Sequence, residues 1–154
     1  MAGGKFLLTM TGTKQGKIKG SSTKKEGDLD YSQGMECHGF NYNVMAPHGS
    51  QSGVASGRRR HQPVTITKEV DSASPKLWQA LCSNETFKSA RLQFAKPGSG
   101  GKSLPFRTIE LINGAIVDIR QAPSSTGKRC EYVTLAYEDL LVNDIPHGAI
   151  PHFS

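Results

Sequence analysis

Cysteine is scarce: among 154 residues there are three, Cys37, Cys82 and Cys130, far apart in the chain. An odd, widely spaced set excludes the dense, even disulfide framework of a small secreted scaffold, so the thiols are read as reduced and packed like small apolar side chains. Aromatic residues make up 7% of the chain, and none interleaves with the lysine-rich stretch near the start. That excludes a base-stacking platform for nucleic acid. Long apolar runs are missing as well. Near the start the longest is Phe6-Leu7-Leu8, against the about 20 residues of a bilayer span, so neither membrane insertion nor a cleaved leader is expected. Glycine (17) and proline (8) fall short of a low-complexity composition, which excludes wholesale disorder.

Reactive machinery is also lacking. The five histidines, His38, His48, His61, His147 and His152, have no HExxH or CxxC partner spacing. Cys37 and His38 are adjacent, so on a strand their side chains leave opposite faces and cannot share a metal ion. No GxSxG nucleophile elbow occurs. Residues 96–103 end like a phosphate-binding loop, but Lys96 stands where glycine is needed and Leu104-Pro105 follow where a helix must start. No catalytic residue, metal ligand or cofactor is therefore expected, and the chain is read as a binding or structural module.

What is present points to strands. A chain of this length is expected to form one domain, 1–154. Period-two alternation recurs: Phe6, Leu8 and Met10; Val64, Ile66 and Val70; Leu92 and Phe94; Arg107, Ile109 and Leu111; Val117 and Ile119; Val133, Leu135 and Tyr137. This is an antiparallel signature. Asn113-Gly114 tolerates positive φ at both positions, which predicts a type I′ hairpin turn between strands over 104–112 and 115–121. Residues 74–82 break the pattern and predict a short helix, with Ser74 as N-cap, Pro75 in the first turn, and Leu77, Trp78, Ala80 and Leu81 as a buried apolar stripe.

Residues 43–62, rich in glycine and serine, predict an extended loop longer than most connections in a compact domain. Residues 141–154, with Pro146, Gly148 and Pro151, predict a tail without regular structure. The net charge is +6 and uneven: residues 1–61 hold nine lysines and arginines against four acids, the remainder ten against nine. Such asymmetry fits a solvated basic face or a nucleic-acid binder.

Taken in order, these segments resemble the haemolysin-coregulated protein (Hcp) family, the tube subunit of bacterial type VI secretion. Phe6-Leu7-Leu8 and Lys19-Gly20-Ser21-Ser22 resemble its apolar first strand and KGES motif, with Ser21 in place of the acid. Tyr31-Ser32-Gln33-Gly34 is similar to its WSWG, with Gln33 in place of the second aromatic. The fullest match is Ile66-Thr67-Lys68-Glu69-Val70-Asp71-Ser72-Ala73-Ser74-Pro75-Lys76-Leu77, similar to the family's FTKxxDxASPxL passage from strand into helix. Ile109 to Val117 resembles the family's hairpin, and Glu131 to Tyr137 its late strand.

The resemblance implies a mostly β fold: a β-barrel of two antiparallel sheets with one short flanking helix and a long extended loop. It also implies self-assembly into hexameric rings that stack into a tube, with Ser32 facing the lumen and Arg58, Arg59 and Arg60 in the loop that reaches the next ring. The implied partners are further copies of the chain, secreted effector proteins, and the sheath and spike components, with no nucleic acid. The implied localisation is the bacterial cytoplasm, followed by export through the type VI system. With only residues 141–154 beyond the last strand, no fused toxin domain is expected. Two other readings remain open at this point, a phage-like tail-tube protein and a basic small-barrel nucleic-acid-binding module.

Overall fold

The computed structural model describes residues 5–26, 29–41, 44–45, 60–61, 63–97, 103–124 and 127–142. Its centre is built from β1 (Phe6–Gly12), β9 (Val64–Glu69), β10 (Thr86–Pro97), β11 (Ser103–Pro123) and β12 (Arg129–Val142), all paired antiparallel. With the shorter β2 (Gly16–Lys17) and β6 (Gly39–Asn41), the hydrogen-bonded order is β2-β1-β10-β11-β12-β9-β6. An eighth strand, β5 (Met35–Cys37), pairs with β1. Among the described residues the path does not close through a ladder. Its ends are joined covalently, because β5 lies on β1 while β6, one residue further along, lies on β9. By hydrogen bonding this is one eight-stranded sheet, not two, with the small ribbons β3 (Lys25–Glu26) with β4 (Leu29–Asp30) and β7 (Val44–Met45) with β8 (Arg60–His61) beside it.

Alternation fills the interior. Phe6, Leu8 and Met10 of β1, Val64 and Ile66 of β9, Leu92 of β10, Ile109 and Leu111 of β11, and Val133 and Leu135 of β12 share one core. Phe40 of β6 meets the rings of Phe6 and Phe94 at centroid distances of 5.8 and 5.0 Å, so aromatic packing ties together the two ends of the sheet. A smaller core forms on the other face of β1 from Leu7, Leu29 and Tyr31. The mostly β, antiparallel architecture and the short α-helix α1 (Ser74–Cys82) are as expected.

The expected turn at Asn113-Gly114 is not one. Both residues lie inside the continuous strand β11. The positive φ is real, 52° at Asn113, but the chain does not reverse there. A Cβ on Gly114 would strike the carbonyl of Ala136 on β12 and lie 2.7 Å from the Phe87 ring. The glycine thus permits close approach of neighbouring strands. The strand that pairs with β11 on its other side, β12, follows a reversal where Ser124 N donates to Lys128 O at 2.7 Å and Gly127 takes φ 86°; residues 98–102, between β10 and β11, lie outside the described set.

A β-bulge corrects a second expectation. Ile116 pairs with Leu135 and Asp118 with Thr134, so Val117 is the extra residue. The alternation slips there: Ile116 and Ile119 are buried, while Val117 is half exposed. The chain also stays regular past residue 141, since β12 continues to Val142; residues 143–154 lie outside the described set.

Helix α1 packs on β11 through a narrower face than expected. Leu77 and Ala80 are buried and Leu81 is partly buried against the core, but Trp78 is 40% exposed. At 100° per residue, Trp78 is turned a quarter of the way round from Leu77, off the seam. Nor does Ser74 cap the helix. Ala73 is the N-cap and makes no side-chain cap bond; Asp71 Oδ1 accepts from Ala73 N at 2.9 Å, and Ser74 is the first helical residue.

Candidate functional site

Strand alternation turns Val64, Ile66 and Lys68 of β9 inward, and Lys68 is fully buried. A buried ammonium must find partners. The register supplies one, because Glu131 of β12 stands directly opposite Lys68 and is also fully buried. Lys68 Nζ donates to Glu131 Oε2 at 2.7 Å, to Asp71 Oδ1 at 2.8 Å and to the Glu69 carbonyl at 2.9 Å. Ser74 Oγ donates to the same Glu131 oxygen at 2.6 Å, and Gln121 Nε2 reaches Oε1 at 3.3 Å. Neither Lys68 nor Glu131 is among the site residues expected from the sequence. The signal was there, a lysine and a glutamate at inward phases of two apolar alternating strands.

The same cluster gathers motifs 50 residues apart. Ser21 N donates to Asp71 Oδ2 at 3.3 Å, Ser21 Oγ to Ser72 Oγ at 3.1 Å, and Ser72 N back to Ser21 Oγ at 3.0 Å. Residues 19–22 are thereby fastened to the entrance of α1. These bonds interlock, so the cluster holds residues 19–22, the helix and two strands in fixed positions.

A second anchor holds the β1–β2 turn. Glu85, buried behind Gly12, accepts from Lys14 N at 2.7 Å and Gln15 N at 2.6 Å, and from Gln15 Nε2 at 3.1 Å. Burial pushes its carboxyl up, but the Gln15 and Lys14 amides and the Gln15 side chain together pull it below the ordinary value.

Ser32 lies in a short 3₁₀ turn, Tyr31–Gln33, above the buried Tyr31. Its hydroxyl donates to Asp30 Oδ1 at 2.6 Å and its amide to the same oxygen at 3.0 Å. The hydroxyl first and the amide second hold the Asp30 carboxyl below the usual carboxylate range. Lys17 Nζ meets Gln33 Oε1 at 3.0 Å. Of the loop arginines, Arg60 pairs with Met45 in the β7–β8 ribbon, whereas Arg58 and Arg59 lie outside the described residues. Ser74 and Leu77 join the core around the ion cluster and Asn113-Gly114 lies within β11; Ser32, in its own turn, belongs to neither set.

Two depressions open on the surface. One, of about 740 Å³, is lined by Lys5, Lys24, Glu36, His38, Lys128 and Cys130 among others. Lys5 and Lys24 sit 3.3 and 3.9 Å from Glu36, and Lys128 3.6 Å from Glu69. The other, of about 600 Å³, lies over Gly114, Ala115 and Ala136 with Phe87 and Tyr137 alongside. Among the described residues, no group of three or more His, Cys, Asp or Glu is placed to hold a metal ion, and no helix is long and apolar enough to cross a membrane. The 96–103 stretch runs from the end of β10 into β11, so a strand follows it where a phosphate loop would need a helix.

Among the described residues, an antiparallel sheet and a helix locked to it by buried ions define a rigid β scaffold. Comparison with known proteins agrees. Residues 7–143 match the family described as type VI secretion system effector, Hcp. Over 118 residues, 73% of this chain and 69% of the relative, the sequence is 38% identical to the major exported protein of Pseudomonas aeruginosa. A crystallised Hcp protein superposes with a TM-score of 0.79 at 22% identity, covering 90% of this chain and 91% of the other. The Hcp1 protein of E. coli EAEC 042 gives 0.76 at 26% identity, with 91% of each chain covered. The chain belongs to the Hcp family and is a type VI secretion protein.

Proposed function

We infer that the chain is a non-catalytic tube subunit: six copies close into a ring, rings stack head to tail, and the lumen holds effector proteins during export. The observation that carries this reading is the family match, which runs over residues 7–143 and so takes in both the strand scaffold and the segment 43–62. Arg58, Arg59 and Arg60 of that segment can engage acidic groups on an adjacent ring. A head-to-tail lateral contact closes when its rotation divides a full turn, and closure also covers exposed sheet edges. Ser32 faces the lumen in this arrangement. Six copies carry about +36, a field that favours acidic cargo in a confined channel. The name of the Pseudomonas relative, an exported protein, supports passage out of the cell.

Size-exclusion chromatography with light scattering tests the reading directly, since a ring has six times the 16.6 kDa of one chain. Charge reversal of Arg58, Arg59 and Arg60 to Glu is expected to leave rings intact and shorten stacks in negative-stain images. A strictly monomeric protein at high concentration overturns the tube assignment.

A further inference from the structure

Tertiary structure brings together two side chains that are 92 residues apart in sequence: Cys130 Sγ lies 3.9 Å from His38 Nε2. His38 sits at the junction of β5 and β6, its backbone fixed by donation to the Thr67 carbonyl at 2.9 Å, and its ring is exposed. Cys130, near the start of β12 opposite Glu69, is 2% exposed. Both line the 740 Å³ cleft, so an ion can reach the pair from solvent. The Lys68–Glu131 cluster uses neither group.

We propose that Cys130 and His38 form a two-ligand site for a soft monovalent d¹⁰ cation, copper(I). The donor set selects the metal. With sulfur–metal and nitrogen–metal bonds of about 2.3 and 2.0 Å, a tetrahedral angle requires the donors about 3.5 Å apart. The observed 3.9 Å corresponds to an angle of about 130°, wider than tetrahedral, and the exposed His38 ring has only about 0.4 Å to move to reach the about 4.3 Å of a linear pair. Zinc takes three or four protein ligands, and among the described residues no third donor completes such a group. Thiolate with imidazole is a soft pair that suits copper(I).

The exchange balances. The Cys130 S–H bond breaks and its proton goes to solvent. The sulfur and the His38 Nε2 lone pairs form the two bonds to the ion, with the ring proton on Nδ1. Copper enters and stays as +1, so no electron is transferred. One positive charge replaces another, so the surroundings of the buried Cys130 sulfur gain no net charge; a divalent ion would leave an excess charge there.

The test is anaerobic titration of the reduced full chain with copper(I) in competition with a chromophoric copper(I) chelator. The expected result is one ion retained per chain, with an X-ray absorption spectrum showing one sulfur and one nitrogen neighbour. His38→Ala, a change at an exposed side chain, is expected to weaken retention by at least about tenfold. Cys82→Ser, which removes the exposed thiol, is expected to change nothing. Cys130→Ser is expected to abolish binding, with its urea midpoint confirming that it folds. Equal retention by His38→Ala, loss on Cys82→Ser, or zinc bound as firmly as copper(I) overturns the proposal.

Discussion

Replacing Lys68 with methionine keeps the apolar stem and most of the side-chain length while deleting the charge, which separates the ion cluster from packing. The variant loses contacts of 2.7, 2.8 and 2.9 Å to Glu131, Asp71 and the Glu69 carbonyl. Glu131, fully buried, is left with Ser74 and Gln121 as its remaining partners and no counter-charge. Stranding one member of a buried pair costs about 3–5 kcal/mol. For a chain of this length each kcal/mol moves Tm by roughly 2–4 °C, so a fall of about 6–20 °C is expected. Urea unfolding followed by circular dichroism measures the free-energy loss and a thermal melt the fall in Tm, both at one protein concentration because self-association adds its own term. A companion variant, Lys68→Met with Glu131→Leu, is expected to recover most of the loss, since both charges are then gone. A single variant within about 1 kcal/mol of the parent, the range of an exposed pair, refutes desolvation of the cluster. A double variant as unstable as the single one assigns the loss to packing.

The two neighbours on α1 are expected to respond oppositely: Leu77→Ala costs about 2–5 kcal/mol as a core truncation, whereas Trp78→Ala, at a side chain 40% exposed, costs under about 1 kcal/mol in the isolated chain. Equal costs in the same urea assay return Trp78 to the core. For Glu85 the sign follows from its lowered carboxyl: the stabilisation is complete above the unfolded value of 4.5 and is lost as pH falls through the lower folded value. Glu85→Gln is therefore expected to be less stable than the parent at neutral pH and to show a flatter loss of stability in acid. Parallel urea midpoints for the two from about pH 7 to 3 refute the anchor.

Legibility in the sequence followed the range of the interaction. Alternation over 64–69, together with the proline and apolar spacing over 74–82, is local, and both elements fall where those patterns predict them. Asn113 shows the limit. Its positive φ is a local property and was readable, yet the same φ serves a turn or a kink in a continuous strand, and the neighbours on β10 and β12 decide which. Val117 shows another: a bulge shifts the phase of all that follows, and only the partner strand reveals it. Ser74 was legible as belonging to the helix start but not as the donor to a glutamate 57 residues away.

By itself the sequence determined the fold class, the helix and the family, because these rest on periodicity and on ordered local motifs that survive without knowledge of neighbours. Tertiary structure alone decided which polar residues lie inside, how Lys68 meets Glu131 and how His38 meets Cys130. The physical reason is register: side-chain direction alternates along every strand, but which residue stands opposite which is set only when distant strands pair.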